Sequence, residues 1–268
     1  MKCYTRRQEV SSMPKVTINS EDLYYEDIGS GTPILFIHPP GMGRVVFEEQ
    51  KSLSEHYRLI IPDLIGQGDS SYNGGSEISI KRFSDDLFQL LDHLTIKSVI
   101  ILGYSSGGTI AQHMCIHEPS KVIALIMCGA FPIVDNFFLV NEHKLGIYTA
   151  KRNKKLLTNV LAVSHTNDKR LREKLIEHMS KSNGDVWSHY YLHSLNFNCK
   201  DSISSFTKPT LILYGSLADP INTYSKFYET HLQHVTIEVI KRSSHRLPTK
   251  RSKQVNNHIH QFMQQLQR

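Results

Sequence analysis

The stretch Gly103-Tyr104-Ser105-Ser106-Gly107 sets a serine between two glycines, each two residues away, after the apolar run Val99-Ile100-Ile101-Leu102 and before a helix-like segment over residues 109–117. A sharp strand-to-helix turn of this kind can present a serine hydroxyl as a nucleophile. The turn holds Ser105 in a strained backbone conformation above the sheet edge, and a β-carbon at either flanking glycine would strike the neighbouring strand or helix. The helix that follows brings its positive end, and the Ser106 backbone N–H, toward any oxyanion formed at Ser105. A hydroxyl is a poor nucleophile at neutral pH. The chemistry therefore also needs an imidazole to take the proton and a carboxylate to orient that imidazole and stabilise its cation. Fifteen histidines compete for the first of these roles.

The elements that must position these groups follow from apolar patterning. Val16-Thr17-Ile18 and Leu23-Tyr24-Tyr25 read as two short strands around a polar turn, closed by Gly29-Ser30-Gly31. Ile34-Leu35-Phe36-Ile37 is a continuous apolar run, as a strand buried on both faces requires, and Arg58-Leu59-Ile60-Ile61 repeats the pattern. A helix-like stretch between them runs to about His56. Ile80, Phe83, Leu87, Leu90, Leu91 and Leu94 recur at helical spacing. Further strands are expected at residues 122–127, 209–215 and 235–240, and a closing helix with Val255, Ile259, Phe262, Met263 and Leu266 on one face. Strands alternating with helices imply parallel pairing and right-handed crossovers. The expected fold is α/β, a doubly wound, mostly parallel sheet covered on both faces.

That rhythm breaks between residues 132 and 206, where helical patterns appear without a strong strand. A segment so long and so helical is expected to be a cap inserted after the sixth strand, over a core made of residues 13–131 and 207–268. It carries Trp187, Tyr190, Tyr191, Phe137, Phe138 and Tyr148, which either pack the cap onto the core or line an apolar pocket over Ser105. Residues 1–12 are polar and without periodicity, and are expected to be a poorly ordered extension.

Composition narrows the function classes. The 31 Lys and Arg exceed the 25 Asp and Glu to leave a formal charge of +6, but the basic residues gather on helix-like segments without aromatic interleaving. Solvated helix faces are the expectation, rather than a nucleic-acid or membrane surface. The longest apolar stretch, residues 122–131, is too short to span a bilayer, and the N-terminus lacks a signal-peptide pattern, which predicts a soluble cytoplasmic protein. Cys115 and Cys128 fall in an expected helix and strand as small buried residues, with no disulfide framework or metal-ligand spacing.

His38 after a buried strand, Asp63-x-x-Gly66-x-Gly68-x-Ser70, Gly103-x-Ser105-x-Gly107, the segment from Gly215 to Asp219, and His245 before Pro248 stand in an order that resembles the α/β-hydrolase superfamily. The likeness covers nearly everything after Met13, and it implies an eight-stranded sheet and a catalytic order Ser, Asp, His. His113, His117, His231, His234, His258 and His260 lie on or beside helical stretches, whereas His245 sits in a loop just after the last strand, on the edge where Ser105 should emerge. For the acid, Asp219 follows a strand at the same edge, although Asp-Pro also fits a helix cap and the spacing from Gly215 is one residue longer than the family's. Asp135 is the alternative. His38 is expected to shape the loop beside the turn, and Asp63 to hold the Gly66–Gly68 turn.

The loop after His38 departs from the family, where the second residue after the histidine gives its N–H to the oxyanion beside that of Ser106. Here the matching positions are Pro39 and Pro40, and proline has no N–H. The expectation is that Gly41 or Met42 supplies the second donor. The reading is a carboxylesterase-like serine hydrolase acting on a small ester or acyl substrate through an acyl-enzyme, with no cofactor and no metal. The same triad would also serve perhydrolysis of the haloperoxidase type, aminopeptidase action or C–C bond hydrolysis, and a slow-turnover ligand receptor is the reading from a different class.

Overall fold

The computed structural model describes residues 14–75, 77–217 and 220–266. The N-terminal extension, Asp219 and the last two residues lie outside that set. The sheet opens with a hairpin, β1 (Lys15–Ile18) and β2 (Glu21–Ile28). β2 is longer than the run Leu23 to Tyr25, because its alternating residues face the core and its outer end continues antiparallel along β4. Then come β3 (Pro33–Ile37) and β4 (Arg58–Pro62), both closed to solvent beyond their first residue. The segment between them is a 3-10 helix over Arg44–Glu55 rather than an α-helix. α1 (Ile80–His93) starts on Ser79, whose hydroxyl accepts the Arg82 N–H at 3.1 Å, and it buries Phe83, Leu87, Leu90 and Leu91.

β5 (Val99–Tyr104), α2 (Gly107–His117) and β6 (Val122–Cys128) follow. Four helices then intervene before the sheet resumes: α3 (Phe137–Arg152), α4 (Lys154–His165), α5 (Lys169–Lys181) and α6 (Gly184–Leu195). Each begins on an Asn or Asp whose side chain accepts a first-turn N–H, so the insert is cut into helices by its own polar caps. The chain returns through β7 (Thr210–Gly215), α7 (Ser225–His231) and β8 (Val235–Ile240), and closes with α8 (Leu247–Lys250) and α9 (Ser252–Leu266).

The strand order is β1-β2-β4-β3-β5-β6-β7-β8, antiparallel at β1–β2 and β2–β4 and parallel from β3 onward. Alternate strand residues feed two separate cores. Leu35, Ile101 and Met127 pack under α1, α2 and α7, whereas Phe36, Leu102 and Ile126 pack under α9 and the 3-10 helix. This two-sided cover accounts for the unbroken apolar runs of the central strands. Trp187 and Tyr190 of α6 are fully buried, while Phe137 and Phe138 of α3 are 76% and 71% exposed. Among the described residues, no helix is long and apolar enough to cross a membrane.

Candidate active site

β5 ends at Tyr104, and the chain turns into α2 through Ser105, whose φ is +52°, a left-handed value a side chain adopts only under constraint. The turn is pinned from both sides. Ser105 N–H donates to the Cys128 carbonyl of β6 at 2.8 Å, and its own carbonyl accepts the Gly108 N–H at 2.8 Å. A β-carbon on Gly107 would lie 2.1 Å from the Ile37 carbonyl oxygen, so α2 can start this close to β3 only with glycine there.

His245 stands in the loop between β8 and α8, with its Nε2 2.8 Å from Ser105 Oγ. The structure thus joins residues 140 apart in the chain at hydrogen-bond distance. The ring lies over Gly129, where a β-carbon would fall 2.7 Å from its Cε1, and 5.6 Å from the Tyr104 ring. Gly129 escaped the sequence reading; its only signal is a glycine immediately after β6.

Asp219 lies outside the described residues. The alternative acid, Asp135, is exposed and gives its carboxylate to another partner, accepting the Tyr224 hydroxyl at 2.5 Å. Burial, reinforced by this hydrogen bond to Asp135, pushes the Tyr224 phenol up to about 12. Among the described residues Asp135 thus meets Tyr224. It follows β6 by only a few residues, but the chain carries it toward the segment before α7.

The loop after His38 carries hydrogen bonds of its own. Gly41 N–H donates to Gln67 Oε1, and Met42 N–H donates to the Pro39 carbonyl at 3.3 Å. Both donors proposed for the second oxyanion position already have acceptors, because the prolines fold the loop into a turn closed on itself. His38 holds that turn. Its Nδ1–H donates to the Pro39 carbonyl at 2.9 Å, its Nε2 accepts the Leu64 N–H at 3.0 Å, and its carbonyl accepts the Tyr190 hydroxyl at 3.0 Å. Burial lowers its imidazole to about 4, so the ring is neutral, as this donor and acceptor pair demands.

Asp63 anchors the next loop. Its carboxylate accepts the Arg44 N–H at 2.7 Å, the Asp69 N–H at 3.0 Å, the Arg44 guanidinium and His178 Nε2 at 2.8 Å, the last from α5 of the insert. Burial alone would raise this carboxyl, but the His178 hydrogen bond and the charges of His178 and Arg44 outweigh it and hold Asp63 at about 2. Ligand atoms of Asp63, Asp69 and His178 lie within 4.8 Å of one another, a spacing a metal could use. The Arg44 guanidinium is already set among them, 2.7 Å from Asp69 Oδ2 and paired with Asp63, and supplies the cation itself. Cys115 and Cys128 are buried and apolar in surroundings, with the Cys128 thiol pushed up to about 12 by burial.

Ser105 and His245 open into a cavity of about 40 Å³. Pro40, Met42 and Ser106 form its core side, and Leu139, Leu161 and Tyr191 come from the insert.

Residues 32–175 match the family described as the alpha/beta hydrolase fold. The chain belongs to that family. A stretch of 108 residues is 30% identical to the 2-hydroxy-6-oxo-2,4-heptadienoate hydrolase of Pseudomonas putida, covering 39% of each protein. Another, of 114 residues, is 32% identical to the pimeloyl-[acyl-carrier protein] methyl ester esterase of Vibrio vulnificus, covering 42% of each. These matches span less than half of the curated relatives' length. Among solved structures, an esterase from Exiguobacterium antarcticum superposes with a TM-score of 0.84 at 20% identity, over 93% of this chain and 98% of that one. A bromoperoxidase from Bacillus anthracis does so with a TM-score of 0.84 at 20% identity, over 94% and 100%. Both show that the fold is shared along nearly the whole chain.

Proposed function

We propose that this α/β-hydrolase is a serine hydrolase that cleaves a carboxylic ester or related small acyl compound. The observation that carries the reading is the 2.8 Å approach of His245 Nε2 to Ser105 Oγ at a left-handed strand-to-helix turn. In this reading His245 takes the Ser105 proton as the hydroxyl attacks the carbonyl carbon, and the charge that develops on the carbonyl oxygen meets the Ser106 N–H at the start of α2. The protonated imidazole then gives its proton to the leaving alkoxide. Water, activated by the same ring, hydrolyses the acyl-enzyme. Asp219 is assigned as the carboxylate that orients His245. The insert, residues 132–206, acts as a lid that brings Leu139, Leu161 and Tyr191 to the wall of the cavity.

The test is a substrate panel run on the wild type and on Ser105→Ala, with p-nitrophenyl acetate, a proline naphthylamide and peracid formation measured in parallel. Ester hydrolysis is expected to dominate, to vanish in Ser105→Ala, and to be blocked by a fluorophosphonate that labels Ser105. Wild-type ester hydrolysis in Ser105→Ala, or labelling at another residue, would refute the assignment.

A further inference from the structure

Ser105 is flanked by Tyr104 and Ser106, and each of these neighbours meets a histidine of the insert. Tyr104 Oη is 3.1 Å from His165 Nε2, and Ser106 Oγ is 3.3 Å from His143 Nε2. The two histidines are built alike. Nδ1 of His143 lies 2.8 Å from the Leu139 carbonyl, and Nδ1 of His165 lies 2.8 Å from the Leu161 carbonyl, in each case four residues back on the same helix. A carbonyl only accepts, so Nδ1 carries the proton and Nε2 of the neutral ring is an acceptor. The Tyr104 and Ser106 hydroxyls therefore donate. Both rings are buried, His143 to 2% and His165 to 5% exposure. Burial lowers both imidazoles, that of His165 to about 3. The His165 carbonyl also accepts the Thr249 hydroxyl at 2.6 Å, from α8 just after His245.

We propose that His143 and His165 are positioning residues that brace the nucleophile turn against the insert, so that α3 and α4 set the aim of Ser105 and of the Ser106 N–H as well as covering the site. The proposal rests on the hydrolase reading. Its force comes from the oxyanion loop. With no N–H at Pro40 and those of Gly41 and Met42 engaged, the Ser106 peptide carries more of the oxyanion than in a two-donor site, and its orientation matters correspondingly. On the other flank, His165 links the strand before Ser105, through its ring on Tyr104, to the segment after His245, through its backbone carbonyl on Thr249.

The test compares His143→Leu and His165→Leu with His143→Gln and His165→Gln, since a glutamine Oε1 can accept the same hydroxyl. Each leucine variant is expected to lower kcat on p-nitrophenyl acetate, and the rate of fluorophosphonate labelling, by about tenfold or more with KM within about twofold, and glutamine to restore most of the loss. Imidazole NMR of the wild type is expected to show both rings as neutral Nδ1–H tautomers. Unchanged kcat in both leucine variants, equal losses in leucine and glutamine, or Nε2–H tautomers would each overturn the brace. A wild type inert toward every ester would overturn the hydrolase reading instead. Amide exchange over residues 104–106 then decides the brace by itself: faster opening in the leucine variants supports it, and unchanged exchange refutes it.

Discussion

Acid should unfold this protein through buried, neutral histidines, His38 and His165 foremost, before it protonates the buried carboxylate. His38 and His165 are closed to solvent, and burial holds them at about 4 and about 3. In the unfolded chain both titrate near the free histidine value of about 6.5. Below that value the unfolded state takes up protons that the folded state refuses, so stability falls as pH falls, and the loss levels off only as each folded value is passed. Each ring contributes about 1.4 kcal/mol per pH unit over most of that window. Together they remove about 4 kcal/mol between about pH 6.5 and pH 4.5, a large share of the roughly 5–15 kcal/mol by which a typical domain is stable. Asp63, held at about 2, adds its own loss only below the ordinary carboxylate range, and Asp86, raised chiefly by burial, works in the opposite sense. The assay is urea unfolding of the wild type and of His165→Gln across that interval. The variant should lose stability with a slope shallower by about 1.4 kcal/mol per pH unit. A wild type that changes by less than about 1 kcal/mol, or a variant with the wild-type slope, would refute the argument from burial.

Three further substitutions bear on the site. Asp219→Asn is expected to cut kcat by about 10⁴-fold, as removal of a triad carboxylate does, while Asp135→Asn stays within about twofold because its carboxylate serves Tyr224; steady-state kinetics with the two losses exchanged would reassign the acid. Pro40→Ala returns a backbone N–H to the cavity wall, and kcat should rise by about tenfold or more, since one oxyanion donor is worth about 10² to 10³. Unchanged kcat in that variant would show that the developing charge lies elsewhere.

The local features of this site were legible in the chain. A serine between two glycines after an apolar run can fold into few turns, and the left-handed Ser105 is the one the glycines permit. The histidine in the loop after the last strand was separable from the helical histidines because parallel strands bring their ends to one edge. The loop after His38 was legible only in part. The two prolines announced a missing N–H, but nothing nearby in the chain says that Gln67, 26 residues on, takes the Gly41 N–H, or that Met42 closes a turn on Pro39.

The insert marks the boundary between the two kinds of information. Its helical character is legible in periodicity, and the Asn and Asp that cap its helices act within a single turn. Which of its aromatic residues would be buried was not, and Trp187 and Tyr190 are sealed while Phe137 and Phe138 face outward. Nor could spacing single out His143 and His165 from the chain's other histidines, since their acceptor nitrogens acquire meaning only when α3 and α4 lie over β5 and its turn. By itself, the sequence determined the fold class, the sharp turn at Ser105 and the absence of an N–H at Pro40, all consequences of backbone chemistry within a few residues. Only the tertiary structure decided which polar groups of distant segments share a hydrogen bond, because a donor's partner is settled by packing.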